Sequence, residues 1–174
     1  MADARKGRLD AFGVLVQRHQ ESLLNFFRRL GVYTDAEDLV QETLLRVFRY
    51  RKTYRPKAKF RTFLYRVART VWIDWVRRKA RREEFMTECE HDPAFTAPPP
   101  VLDAAALDVQ TALNTLSDKL RVVVVMRIYQ GLQYSEIAEA LDIPEGTAKS
   151  RMSLALAQLR KFMYGEVEQQ RASP

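Results

Sequence analysis

Apolar residues recur at helical spacing along the first thirty positions, at Phe12, Leu15, Val16, His19, Leu23, Phe26 and Leu30, and Gly31 follows them as a stop. This pattern predicts a core helix from Leu9 to Leu30. His19 falls on its apolar face, far in sequence from the other histidine, His91, and reads as a packing residue without chemistry. Thr34-Asp35-Ala36-Glu37 has the form of a capping box and opens a second predicted helix, Thr34–Tyr50. Projected at about 100° per residue, Ala36, Leu39, Val40, Thr43 and Val47 share one side, while Asp38, Gln41, Glu42, Leu45 and Arg49 share the other. That outer face is acidic with one leucine; taken alone it is either a solvated surface or a protein-docking face.

Between Tyr54 and Arg61, Pro56 and a run of cations predict a loop able to approach phosphates. A third helix is expected from about Thr62 to Arg82, with Leu64, Val67, Ala68, Val71 and Trp75 as its packing stripe. Its opposite side carries Arg66, Arg69, Thr70, Ile73 and Arg77, with Tyr65 and Trp72 at the edge. Guanidinium groups supply phosphate contacts, and aromatic faces stack unpaired bases at roughly 1–3 kcal/mol each, so the surface suits a single-stranded nucleic acid. The alternative is a solvated basic helix whose aromatics belong to the core.

Periodicity then lapses. From Glu83 to Asp108 the chain has no Lys or Arg and contains Pro98-Pro99-Pro100, a composition that reads as a solvated, stiffened linker. Helical spacing returns at Leu107, Ala112, Leu113 and Leu116, and Ser117-Asp118 reads as a cap for a helix running from Leu120 to Tyr129 before Gly131. The Val122–Val125 run favours strand by propensity, but its helical flanks argue for helix. Tyr134–Leu141, a break at Asp142-Ile143-Pro144, and a helix from Glu145 to about Tyr164 have the form of a helix-turn-helix. On its second helix Ala148, Met152, Ala155, Leu156, Leu159 and Met163 are expected to be buried. Thr147, Ser150, Leu154 and Lys161 lie outermost, flanked by Lys149, Arg151 and Ser153, and this side would face a major groove.

Charge sharpens the picture. The formal net charge of +7 conceals a block, residues 46–82, with fifteen Lys/Arg against one Asp. Residues 83–108 follow with seven acids and no Lys or Arg, and residues 109–174 balance eight cations against seven acids. A localised nucleic-acid footprint fits the first block, whereas the last segment is too nearly neutral to bind DNA tightly by itself. The lone cysteine, Cys89, and the two separated histidines exclude a disulfide framework and a Cys/His zinc site. No carboxylate pair, nucleophile triad or phosphate loop points to an enzyme, and no cofactor is expected. The absence of a membrane-length apolar run or signal-like start places the chain, as an expectation, in a reducing cytoplasm without membrane insertion.

Several of these stretches occur together, and in order, in one family. Asp35-Ala36-Glu37-Asp38-Leu39-Val40-Gln41-Glu42-Thr43, Phe60–Arg69, Ile73-Asp74 with Arg77-Arg78, Tyr134–Ala138 and Gly146–Arg151 resemble the bacterial sigma factors of the small, extracytoplasmic-function group of the sigma-70 family. The resemblance covers nearly the whole chain. It implies an all-α fold of two helical domains, residues 1–82 and 107–174, joined by an acidic, proline-containing linker at 83–106. It assigns core RNA polymerase docking to Asp38, Gln41, Glu42 and Leu45. It assigns capture of the unpaired -10 strand to Lys57, Lys59, Phe60, Arg61, Arg66, Arg69, Thr70, Trp72, Ile73 and Arg77. Reading of the duplex -35 element falls to Ser135, Thr147, Lys149, Ser150, Arg151, Ser153 and Leu154. An anti-sigma factor is the further partner implied. The chain departs from the family at Thr70, where asparagine is usual, at Trp72, where a smaller residue is usual, and at Leu154 and Leu156, where arginine is common. The rival reading is a helix-turn-helix regulator that acts without polymerase, or an RNA-binding module using the basic helix.

Overall fold

The computed structural model describes residues 9–52, 59–88 and 104–171 of the 174-residue chain. Its elements are α1 (Leu9–Arg29), α2 (Ala36–Arg49) with a 3₁₀ turn (Tyr50–Lys52), α3 (Phe60–Glu88), α4 (Ala104–Asn114), α5 (Asp118–Val124) running into a π-helical turn (Val125–Tyr129), α6 (Tyr134–Leu141) and α7 (Glu145–Arg171). No strand occurs among the described residues, as expected of an all-α chain. The Val122–Val125 run is helical, because Val122, Val123, Val124 and Val125 are all buried and packing outweighs their β-branched preference. None of the described helices is long and apolar enough to cross a membrane.

The residues fall into two compact units, residues 1–24 with 33–100, and residues 25–32 with 101–174. In the first unit Leu23, Leu39, Val40, Val47, Leu64, Val67, Val71 and Trp72 form the core shared by α1, α2 and α3. Each such side chain contributes about 1.5–3 kcal/mol of hydrophobic stabilisation, before the cost of ordering the chain. Thr43, fully buried among them, donates its hydroxyl to the Leu39 carbonyl at 2.7 Å and so carries no unmet polar group. At the rim Phe12 of α1 meets Phe48 of α2 edge to face, with ring centroids 5.0 Å apart.

The start of α2 differs from the expected capping box. Ala36 is the first helical residue and Asp35 the N-cap, with no side-chain cap bond. The Asp35 carboxylate instead accepts the Trp75 indole N–H at 2.6 Å, a bond across forty residues that ties the start of α2 to α3. Glu37 and Asp38 in the first turn, and Arg46 and Arg49 in the last, suit the helix dipole without a cap. Helix α3 also runs on to Glu88, past the Arg82 end expected from composition, so the first acidic residues of the expected linker are helical.

In the second unit Gly31, at φ 88°, ends α1, with the Val32 amide reaching back to the Phe27 carbonyl at 3.1 Å. The Arg121 guanidinium gathers four backbone carbonyls, those of Leu30, Leu113, Asn114 and Leu116, at 2.9–3.1 Å. It thereby satisfies chain ends that no helix pairs. The π-helical turn places Met126 in the core and leaves Ile128 exposed, and Gly131 at φ 63° turns the chain toward α6. The Gln133 amide donates to the Glu136 carboxylate at 2.8 Å, which starts α6. Asp142, in the left-handed region at φ 54°, makes the turn to α7, and Ile143 donates to the Ala138 carbonyl at 3.0 Å.

Candidate functional site

Two surfaces of the first unit stand next to each other. On α2, Asp38, Gln41 and Leu45 are exposed, Leu45 by 51%, and Glu42 is half-buried, while the five residues expected inside are all buried. Asp38, Leu39, Gln41, Glu42, Leu45, Arg46 and Arg78 line a groove of about 400 Å³. A second, more apolar hollow of about 410 Å³ shares Gln41 and Leu45 with it and is walled by Phe12, Val16, Leu44 and Phe48. Sequence reasoning found the polar half of this surface and missed the aromatic wall, because Phe12 and Phe48 reach the hollow from different helices.

Arg46 lies at its edge. Its Nε donates to Glu42 Oε1 at 2.6 Å and its Nη1 to Asp74 Oδ2, on α3, at 2.8 Å. The bond to Glu42, then that to Asp74, holds the guanidinium charge still more firmly than usual. Only the first of these pairings has a local signal, since Glu42 and Arg46 stand four apart on a helix; Asp74, the one acid in the basic block, meets Arg46 across 28 residues.

The α3 surface carries Lys59, Arg61, Arg66, Thr70 and Arg77 in exposed positions, with Phe60, Arg69 and Ile73 partly buried. Lys57 lies outside the described residues. Phe60 contacts both His19, at 5.4 Å between ring centroids, and Phe63, at 6.4 Å. Burial, then the charges of Arg18 and Arg61, lowers the His19 pKa, so the ring is neutral at neutral pH.

The aromatics at the edge of this surface need correction. Trp72 is only 4% exposed and Tyr65 only 1%, so neither offers a face for base stacking. The reason is geometric: positions 65 and 72 are seven apart and share the packed side of α3 with Leu64, Ala68 and Val71. Burial raises the Tyr65 pKa, against a smaller opposing effect of its hydrogen bond with Ser22, and the Trp72 indole N–H is buried without a hydrogen-bond partner.

On the helix-turn-helix, Ser135, Lys149, Ser150, Ser153 and Leu154 are exposed and Thr147 and Arg151 partly so, while Ala148, Met152 and Ala155 are buried. Lys149 pairs with Glu145 at 2.7 Å, and the Ser150 hydroxyl donates to the Thr147 carbonyl at 3.0 Å. Arg127, from the π-helical turn, lies over the Tyr134 ring at 5.0 Å and donates to the Leu132 carbonyl at 2.9 Å. The buried stripe of α7 is shorter than its periodicity suggested: Leu156 is 41% and Met163 62% exposed, because burial along the helix stops near Ala155. Leu154, 58% exposed, stands on the outer side as expected.

Comparison with known proteins shows the family. The sequence profile of sigma-70 region 2 matches residues 15–82, and that of sigma-70 region 4 matches residues 106–159. The extracytoplasmic-function RNA polymerase sigma factor SigE of Mycolicibacterium smegmatis is 32% identical over 168 residues, 93% of this chain and 65% of the relative. This chain belongs to the extracytoplasmic-function sigma factors.

SigW of Bacillus subtilis, another member, is 29% identical over 170 residues, covering 90% of this chain and 91% of the relative. The present sigma factor thus spans just under two thirds of the mycobacterial protein and nearly all of the Bacillus one. Among solved structures, the sigma factor RpoE from Bartonella quintana, in complex with the anti-sigma factor NepR, shares the fold at a TM-score of 0.74 and 22% identity, over 88% of this chain and 97% of that one. CnrH, in complex with the cytosolic domain of CnrY, aligns at a TM-score of 0.73 and 26% identity over 94% of both chains. The two matched regions fall on the helices that carry the surfaces above, and neither region is an enzymatic family.

Proposed function

We propose that this sigma factor joins core RNA polymerase through Asp38, Gln41, Glu42 and Leu45, and opens promoter DNA by capturing the unpaired -10 strand on α3. Lys59, Phe60, Arg61, Arg66, Arg69, Thr70, Ile73 and Arg77, with Lys57 in the preceding segment, supply that capture surface. Trp72 is removed from it because it is buried. Residues 1–82 act as the docking and melting domain, 83–106 as the connection, and 107–174 as the domain in which Ser135, Thr147, Lys149, Ser150, Arg151, Ser153 and Leu154 read the -35 element.

The observation that carries this reading is the adjacency of an acidic, partly apolar face on α2 and a cationic face on α3. Two polar bonds, Arg46 to Asp74 and Trp75 to Asp35, fasten these two helices to each other. Opening needs no bond chemistry. Unstacking a base costs a few kcal/mol, and arginine–phosphate contacts together with contacts to the extruded base offset that cost. The near-neutral second half fits a helper role, since its affinity for DNA would be realised once polymerase holds the first half in place. The relative from Bartonella was solved with an anti-sigma factor, and an anti-sigma factor is proposed as a partner of this chain as well.

Reconstituted transcription tests the reading. Core RNA polymerase alone should give no promoter-specific transcript on a template carrying the cognate -35 and -10 elements, and addition of the chain should produce one. Specific duplex binding by the chain alone, with no specific transcript in the presence of core polymerase, would make it a stand-alone regulator instead.

A further inference from the structure

Asp74 is anomalous. It is the single acid in a block of fifteen cations, and it stands on α3 beside Ile73 and one turn from Arg77, within the surface proposed to grip DNA. A carboxylate there weakens the attraction for phosphate that the block provides. Its side chain, 38% exposed, is engaged across the helix pair by Arg46, 26% exposed, at 2.8 Å. The same guanidinium uses a different nitrogen for Glu42 at 2.6 Å. One planar fork therefore joins the docking face of α2 to the strand-gripping face of α3, a geometry that the point charge of a lysine does not reproduce.

We infer that Asp74 is a positioning residue for promoter opening: through Arg46 and Glu42 it fixes the register of α3 against the polymerase-docking helix. The inference rests on the function proposed above. Base capture offsets the unstacking cost only if the capturing groups are already in place, because any freedom of α3 relative to docked α2 must be lost at the moment of capture. The four residues proposed for docking, Asp38, Gln41, Glu42 and Leu45, all lie on α2, and Asp74 is not among them.

The inference fixes the sign of a mutational effect. If Asp74 merely dilutes a basic surface, its removal strengthens DNA capture; if it positions α3, its removal weakens opening despite the gain in net positive charge. Holoenzymes reconstituted with the full chain carrying Asp74→Ala or Asp74→Asn are compared with wild type for core affinity, and for permanganate reactivity of the -10 thymines. Opening is expected to fall by about tenfold in Asp74→Ala and by less in Asp74→Asn, whose amide oxygen still accepts from Arg46, with core affinity within about twofold of wild type. Thermal melting of each free chain checks folding, and Asp74→Asn, which keeps size and one acceptor, serves if the alanine variant does not fold.

Opening equal to or greater than wild type in the folded variants would overturn the inference, as would equal losses of opening and core affinity. Asp38→Ala, run alongside, reports on docking separately: normal core affinity there would count against the docking assignment, while the role of Asp74 is still decided by the thymine readout.

Discussion

His19 shows how a single residue takes its character from its neighbours. Placed on an apolar face, against Phe60 and near Arg18 and Arg61, it has a lowered pKa. A histidine whose folded pKa lies below its unfolded value, near 6.5, binds its proton more readily in the unfolded chain. Its contribution to stability is therefore complete above about pH 6.5 and is lost as the pH falls through the lower folded value. Thermal melts of the wild type and His19→Gln at pH 7.5 and pH 5 should show a smaller loss on acidification in the variant; identical losses would contradict this account. The packing role was legible from the residue's place on the helix stripe. The roles of Tyr65 and Trp72 were not, because residues at the border of a helical face go to whichever side the neighbouring helix occupies. Here Leu64, Ala68 and Val71 draw both rings inward. Arg46 was passed over for a related reason: its partner Asp74 lies 28 residues away, and that pairing exists only once α2 and α3 are packed.

At the scale of elements, local pattern specified the inward faces and left the ends open. The five inward residues of α2 and the helical state of the valine run followed from periodicity and burial. The end of α3 at Glu88 did not follow, since an acidic composition is compatible with helix as well as with linker. The helix-turn-helix break at Asp142 was legible, whereas its left-handed φ of 54° belongs to the folded turn. On α7, the expected burial of Leu156 and Met163 extrapolated a stripe past the point where packing stops. Leu154, by contrast, presents an apolar side chain to the proposed major-groove face. Leu154→Arg should add a phosphate or guanine contact, steepening the logarithmic salt dependence of holoenzyme binding to promoter DNA by up to about one unit and changing the preferred -35 sequence. Unaltered salt slope and promoter preference would remove Leu154 from the reading surface.

Across the whole molecule, division of charge is the clearest message of the sequence. The fifteen cations of residues 46–82 and the near balance of residues 109–174 separate the half proposed to grip the strand from the half proposed to read the -35 element. The order of motifs identified the family, and the two matched regions agree with it. What the chain order concealed is the fastening between functions: Asp35 with Trp75, and Glu42 through Arg46 with Asp74, join helices whose sequences look separately dedicated to protein and to DNA. The central claim, that the α2 face delivers this apparatus to polymerase, is tested most directly by the affinity of core RNA polymerase for the full chain and for its Asp38→Ala/Gln41→Ala variant. The account predicts that the double substitution lowers this affinity by about tenfold or more, and that promoter-specific transcripts are lost in proportion. Unchanged affinity and unchanged initiation would contradict it.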